Sequence, residues 1–140
     1  MPPNQTVRLE IPAQHRYLSL IAVCIAELLN QFENLPDRDV QVYNVQLAAQ
    51  EAAANVVDHA YRGMGGILAV ELTLQEDPAQ VVVELFDQGV AFDPSTVPTP
   101  NLEDFQVRGY GLFLIHSLMD DVSYHSVSGQ NCWRMLKRLA

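Results

Sequence analysis

The sequence predicts a two-layer α+β fold, in which helices cover one face of a mostly antiparallel sheet. Two observations predict this class. Segments with strand periodicity and segments with helix periodicity follow one another in the order β, α, α, β, β, α, β, β. The 140 residues are 49% apolar and 18% charged, a composition typical of a globular domain with a substantial core. We therefore expect residues 1–140 to form a single domain.

The first half of the chain predicts one strand and two helices. Residues 7–12, VRLEIP, alternate apolar and polar side chains and end in proline, which is typical of a short edge strand. Residues 15–32 repeat apolar side chains at helical spacing. A second helix is expected from Pro36 to about Ala60, where the glycines of RGMGG stop it.

The second half predicts a largely antiparallel arrangement. Its elements are strands at 67–74, 81–86, 121–127 and 131–139 and a helix at 109–120. The first two strands are separated by the turn segment QEDPAQ, so they pair with each other. The last two form a hairpin around residues 128–130.

One long segment shows neither helix periodicity nor strand periodicity. Residues 93–108, DPSTVPTPNLEDFQVR, contain three prolines and few apolar side chains. A loop of this length inside a compact domain is usually functional or mobile. We expect it to be a lid over a binding site.

The charge balance excludes some partners. A net charge of −9 argues against nucleic-acid binding, which depends on Lys and Arg neutralising phosphates, and favours a protein partner with a basic face. The longest apolar run, LSLIAVCIAELL, carries Glu27 and is too short to span a bilayer. No apolar signal segment opens the chain, and two cysteines are too few for a disulfide framework. We expect a cytoplasmic protein without a membrane partner.

The second helix carries a polar arc. Glu51, Asn55 and Asp58 fall on one side at about 100° per residue. An amide oxygen can ligate Mg²⁺, and a carboxylate can accept a proton from a nucleophile. A solvated polar face explains the same residues, and both readings remain open here. On the same helix, His59 borders the apolar arc, which favours a hydrogen-bonded structural histidine.

Two stretches that contain glycine lie at the boundaries of predicted elements: the first follows a strand and the second precedes a helix. In FDQGVAFDP, Asp87 and Gly89 form either a polar turn or the mouth of a pocket where a ligand approaches the backbone. In RGYGL, Gly109 and Gly111 precede a helix, which suits either phosphate binding or close backbone packing. The latter stretch is not a dinucleotide fingerprint, because Leu114 occupies the third glycine position.

Taken in order, EAAANVVDHAY, FDQGVAFDP and RGYGLFLIHSLMDDVSYH resemble the N, G1 and G2 boxes of the GHKL ATPases, which have the Bergerat, or histidine-kinase-like ATPase, fold. Within that superfamily the chain looks most like the anti-sigma-factor serine/threonine kinases. The resemblance implies that Glu51 is the general base, that Asn55 ligates Mg²⁺, and that Asp87 binds the adenine amino group. Gly89 would let the base lie close. The other nucleotide-binding positions implied are Ala91, Arg108, Gly109, Tyr110, Gly111 and Leu112.

The resemblance also implies a function. The chain would use ATP and Mg²⁺ to phosphorylate an anti-sigma-factor antagonist, and it would sequester a sigma factor as a homodimer. An alternative is a binding module gated by ATP or ADP without phosphate transfer. A small-molecule enzyme unrelated to ATP is a third reading, which requires the three boxes to match by chance.

This chain departs from the family pattern at three places. Ala91 holds the position of the second G1 glycine, and a positive φ there would strain it. Val107 stands where glycine usually precedes the arginine. The threonine often found near Gln130 and Asn131 is missing.

Overall fold

The computed structural model describes residues 5–93 and 110–139. Five strands form one antiparallel sheet in the order β1–β2–β3–β5–β4. The strands are β1 (Gln5–Pro12), β2 (Ile67–Gln75), β3 (Gln80–Asp87), β4 (Asp121–Val127) and β5 (Gln130–Arg138). The α-helices of the described residues are α1 (Ser19–Leu29), α2 (Arg38–Asn55) and α3 (Tyr110–Leu118). The predicted α+β class and the order of its elements are confirmed.

The core lies between the helices and one face of the sheet. The alternating apolar residues of β2 all point to this face and are at most 2% exposed: Leu68, Val70, Leu72 and Leu74. On α2, alanines occupy the buried positions 48, 49, 52 and 53. Their small side chains let α2 lie between α1 and α3, and it contacts both helices. Within residues 5–93 and 110–139, no helix has the length and apolar character needed to cross a membrane.

Helix α1 begins after a short 3-10 turn (His15–Tyr17) and is attached to α2 by side-chain hydrogen bonds. Gln46 and Gln50 donate their amide N–H groups to the carbonyls of Ala22 and Leu18, at 2.8 and 2.7 Å. A carbonyl has two lone pairs and can accept an amide N–H besides its backbone bond, as Leu18 does when it also accepts the N–H of Ile21 at 3.1 Å. The pair of helices therefore gives α2 a fixed position on the sheet.

Helix α2 does not end as a regular α-helix. It continues as a π-helical turn (Val56–Ala60), in which the N–H of Tyr61 donates to the carbonyl of Val56 at 3.0 Å. The wider turn changes the direction of side chains that follow Asn55. As a result, the prediction that Asp58 shares an arc with Glu51 is wrong. Asp58 is exposed and hydrogen-bonds His15 Nε2 at 2.7 Å instead.

A tight hairpin joins β4 to β5, and the antiparallel pairing of β3 with β5 brings the C-terminal end of β3 next to the beginning of β5. Ser128 and Gly129 both have positive φ, as a two-residue hairpin turn of the primed type requires. The register of β3 on β5 places Asp87 opposite Asn131. The end of the α2 helix lies against the same edge, because the N–H of Val90 donates to the carbonyl of Ala60 at 2.8 Å.

Candidate active site

A pocket of about 400 Å³ lies between the end of α2, the exit of β3 and the hairpin of β4 and β5. Asn55 and His59 line it from the helix side, and Asp87 and Ala91 from the exit of β3. Small-molecule sites in proteins are commonly concave spaces of this size, in which a few polar groups converge on an apolar wall. The pocket has both features, and the predicted residues Asn55, Asp87 and Ala91 are among those that line it.

Asp87 is the buried polar group of this pocket. Its side chain is 2% exposed, and its Oδ1 accepts hydrogen bonds from the N–H of Gly89 at 2.9 Å and from Asn131 Nδ2 at 2.8 Å. Buried carboxylates need such partners to offset the loss of water. Within the described part of the chain both bonds fall on Oδ1, so Oδ2 is the acceptor that remains for a ligand.

Asn131 is a residue of the site that sequence reasoning missed. It is 1% exposed and bridges Asp87, the carbonyl of Gly89 at 3.0 Å and the hydroxyl of Ser126 at 2.7 Å. One signal for it exists in the sequence. In β5 it alternates with the core residues Trp133 and Met135, so an amide stands at a core-facing strand position.

Gly89 has a structural reason to be glycine. A Cβ built on it would lie 2.4 Å from the carbonyl oxygen of Ala60, which no real side chain tolerates. The missing side chain thus lets the exit of β3 pass directly against the end of α2. That Gly89 also contacts a nucleotide base stays a prediction. Ala91 is exposed and is not among the residues with positive φ, so the alanine is not strained there.

Glu51 and Asn55 lie beside the first turn of α3. A Cβ on Gly111 would be 3.0 Å from Glu51 Oε2 and 3.8 Å from both polar side-chain atoms of Asn55. Glycine at this position therefore lets the start of α3 approach the two predicted functional side chains. Both are half-buried, and neither makes a side-chain hydrogen bond within the described residues.

The remaining residues of the predicted G2 box differ in where they lie. Arg108 and Gly109 lie outside the described residues, as does the predicted lid apart from Asp93. Tyr110 begins α3. Leu112 is not among the residues that line the main pocket; it lines a neighbouring cavity of about 210 Å³. Its predicted nucleotide contact is not tested by this arrangement.

Three aromatic rings form the apolar wall of the pocket. Tyr124 and Trp133 have ring centroids 4.8 Å apart, and Phe92 lies 5.7 and 5.3 Å from them. The Tyr124 hydroxyl accepts a hydrogen bond from the N–H of Phe92 at 2.8 Å. Burial raises the pKa of Tyr124 above its ordinary value, so the ring stays neutral at physiological pH. The wall is suited to the flat face of an aromatic ligand.

His59 and Arg62 bring polar groups with basic character to the outer part of the pocket. Both are exposed and line it. The structural role favoured for His59 from the sequence is wrong, because its imidazole is exposed and makes no hydrogen bond within the described residues. With Asp87 at the buried end, the pocket combines an acceptor, an aromatic wall and a basic outer region.

This combination suits a ligand with an aromatic base and an anionic tail. The comparison with known families agrees with that chemistry: the model of the histidine kinase-like ATPase domain matches residues 11–137. The chain belongs to this family.

Relatives of the chain within the family include serine-protein kinases. The chain is 31% identical over 134 residues to the serine-protein kinase RsbW of Halalkalibacterium halodurans, covering 89% of this chain and 78% of the relative. It is also 31% identical to the RsbW of a Bacillus cereus strain, covering 84% and 76%. The resemblance predicted from the three boxes is confirmed.

Solved structures agree on the fold. The RsbU and RsbW domains of a Mycobacterium tuberculosis protein match with a TM-score of 0.67 at 14% identity, covering 98% of this chain and 33% of that one. The histidine kinase domain of a blue-light activated kinase from Erythrobacter litoralis matches with a TM-score of 0.55 at 16% identity, covering 92% and 62%. At these identities the likeness shows a shared fold alone.

Proposed function

We propose that the chain is an ATP-dependent serine/threonine-protein kinase that phosphorylates an anti-sigma-factor antagonist and sequesters a sigma factor. One observation carries the proposal. Asn55 lines a pocket whose buried end holds Asp87, and Glu51, one turn earlier on α2, lies with Asn55 against the start of α3. Base recognition and proton transfer therefore have separate residues within one site.

The pocket residues fit adenosine triphosphate. The free Oδ2 of Asp87 can accept a hydrogen bond from the exocyclic amino group of adenine, and the aromatic wall can cover a face of the base. The exposed side chains of Arg62 and His59 also line the pocket and carry groups that can bind phosphate. Arg108, Gly109 and Gly111 remain the predicted phosphate-binding positions.

Asn55 is the proposed Mg²⁺ ligand. Its amide is half-buried and lines the pocket, and Mg²⁺ in phosphotransferases commonly takes one or two protein ligands with the rest from phosphates and water. Among the described residues there is no group of three His, Cys, Asp or Glu that could hold a metal without a nucleotide. The ion would offset the charge of the phosphates when bound.

Glu51 is the proposed general base. Its carboxylate would take the proton from a serine or threonine hydroxyl of the partner as that oxygen bonds to the γ-phosphorus of ATP. The bond between the γ-phosphorus and the bridging oxygen breaks, and ADP leaves. Gly111 places the start of α3 beside this carboxylate, which limits the orientations that Glu51 can adopt.

The proposed partners are proteins. The relatives carry the name serine-protein kinase, which supports a protein hydroxyl as the acceptor. The net charge of −9 favours a partner with a basic face. The proposal includes a homodimer acting in the cytoplasm within a partner-switching pathway.

Phosphate transfer from [γ-³²P]ATP with Mg²⁺ to candidate antagonist proteins tests the proposal, followed by mapping of the phosphorylated residue. Glu51→Gln keeps the shape of the side chain and removes the base, so transfer should fall about 10²–10⁴-fold. ATP affinity, measured by calorimetry on the same protein, should change little. Glu27→Gln, an exposed change on α1, is the matched control.

The outcomes separate the alternatives. Transfer by Glu51→Gln at the wild-type rate would show that the base is another group. If the wild type binds ATP and transfers no phosphate to any partner, the nucleotide-gated binding module replaces the kinase. A folded wild type that binds neither ATP nor ADP would refute both.

A further inference from the structure

Three side chains from three neighbouring strands form a hydrogen-bonded chain behind the pocket. Ser126 of β4 donates its hydroxyl to Asn131 Oδ1 at 2.7 Å, and Asn131 of β5 donates Nδ2 to Asp87 Oδ1 of β3 at 2.8 Å. Asp87 and Asn131 are at most 2% exposed, whereas Ser126 is exposed. These hydrogen bonds therefore connect the surface of β4 to the acceptor inside the pocket.

The hydrogen-bond partners of Asn131 fix the orientation of its side-chain amide. Asn131 Nδ2 faces two acceptors, Asp87 Oδ1 and the carbonyl of Gly89 at 3.0 Å. A rotated amide would place its oxygen against both of these oxygens and lose both bonds. The hydroxyl of Ser126, which can donate, holds the amide oxygen on the other side. Each member of the chain thus fixes the orientation of the next.

Fixing Asp87 has a consequence for the ligand. Oδ1 already accepts two N–H groups, from Gly89 and Asn131, so the carboxylate cannot rotate without breaking both. The pocket then presents Oδ2 in one position, as an acceptor. A purine with a 6-amino group donates to it, whereas a purine with a 6-oxo group places an oxygen against it.

We propose that Asn131 and Ser126 are positioning residues that set the preference of this pocket for a 6-amino over a 6-oxo purine nucleotide. The inference rests on the nucleotide site proposed above, and it does not depend on phosphate transfer. Asn131 acts directly on Asp87. Ser126 acts through Asn131, so its contribution is the smaller one.

The test is the dissociation constant for ITP divided by the dissociation constant for ATP. Both are measured by calorimetry with Mg²⁺ on the 140-residue protein. For wild type the ratio should be well above one. Asn131→Ala removes two donors and should lower the ratio about tenfold, mainly because ATP binds more weakly. This is the size expected for losing one charge-assisted hydrogen bond. Ser126→Ala should lower it about threefold, since only the orientation of Asn131 is loosened.

Two further variants separate positioning from folding. Asn131→Thr keeps one hydroxyl donor and should retain more of the ratio than Asn131→Ala. Ser117→Ala removes a hydroxyl that donates to the carbonyl of Phe113 on α3, outside the hydrogen-bonded set of Asp87, Asn131 and Ser126. This variant should leave the ratio unchanged. Thermal unfolding of each variant shows whether it is folded, and Ser126→Ala, an exposed change, keeps the test valid if the Asn131 variants do not fold.

Each outcome decides the proposal. A lower ratio in Ser126→Ala and Asn131→Ala with ITP affinity preserved supports it. Equal weakening of ATP and ITP, or an unchanged ratio, overturns it while leaving the nucleotide site intact. A wild type that binds neither nucleotide overturns both this inference and the proposed function.

Discussion

The two sides of the proposed site are built differently. The recognition side consists of Asp87, Asn131 and Ser126, which lie on adjacent strands and hydrogen-bond one another. The transfer side consists of Glu51 and Asn55, which lie on one helix beside Gly111 and make no side-chain hydrogen bonds within the described residues. Strand register fixes the first set, and the packing of α2 on α3 places the second.

This difference separates affinity from rate. A rigid acceptor binds its ligand at a lower cost in ordering, which favours tight recognition. A carboxylate without fixed partners can take up a proton and adjust to an incoming hydroxyl, but its geometry depends on its neighbours. Changes on the recognition side should therefore alter affinity or stability, and changes on the transfer side should alter the rate of phosphate transfer.

The largest effect on the recognition side is expected for Asp87→Asn. The amide oxygen accepts more weakly than a carboxylate, and its NH₂ group can face the adenine amino group. ATP affinity should fall about 10–100-fold, corresponding to about 1.5–3 kcal/mol for a hydrogen bond to a charged group. Calorimetry measures this loss, with the exposed turn variant Asp77→Asn as the control. Unchanged affinity would mean that Asp87 does not contact the base.

A change in backbone packing should come next. In Gly89→Ala the new Cβ meets the carbonyl of Ala60, so the exit of β3 must move away from α2. The free energy of unfolding should fall by about 1–3 kcal/mol, as for other overpacked sites. Denaturant unfolding measures it.

Gly63→Ala separates the clash from backbone strain. A Cβ at Gly63 meets nothing within 4 Å, although φ there is +70°. The cost of that variant is the strain alone, and Gly89→Ala should cost more. Equal costs for the two variants would show that the contact with Ala60 does not limit residue 89.

The smallest effect is expected on the transfer side, from Gly111→Ala. The Cβ would crowd Glu51 Oε2 at 3.0 Å and displace a flexible carboxylate. Phosphate transfer should fall roughly tenfold, because small misplacements of a reacting group slow the chemical step. Stability should be unchanged or rise by up to about 1 kcal/mol, since alanine favours helix over glycine.

This variant gives the sharpest contrast between the two sides. Transfer assays and thermal unfolding on the same preparation should show a slower protein that is at least as stable as the wild type. A parallel loss of stability and rate would mean that the two sides are not independent.

The fold could be predicted because its signals are local. The alternation of Leu68, Val70, Leu72 and Leu74 specifies which face of β2 is buried without knowledge of any other element. The helical spacing of α1 and the turn residues Ser128 and Gly129 act in the same way. The π-helical turn was not predicted, since the spacing of Val56 and Ala60 is compatible with either type of helix.

The site could be predicted only in part. Asp87 was found because it ends a strand, and Glu51 and Asn55 because they share a helix arc. Asn131 was missed, since its role depends on the register between β3 and β5, which joins residues 44 positions apart. The aromatic wall was missed for the same reason, because Phe92, Tyr124 and Trp133 come from separate segments.

The π-helical turn after Asn55 amounts to one additional residue in an otherwise continuous helix. If the same residues wound as a regular α-helix, everything beyond them would be rotated by roughly 100° relative to Asn55, the angle that one residue covers in an α-helix. The carbonyl of Ala60 would then point away from the N–H of Val90, and Gly89 would lose the surface it passes. The wider winding of this short segment therefore sets the phase between the helix that carries the proposed base and the strand that carries Asp87.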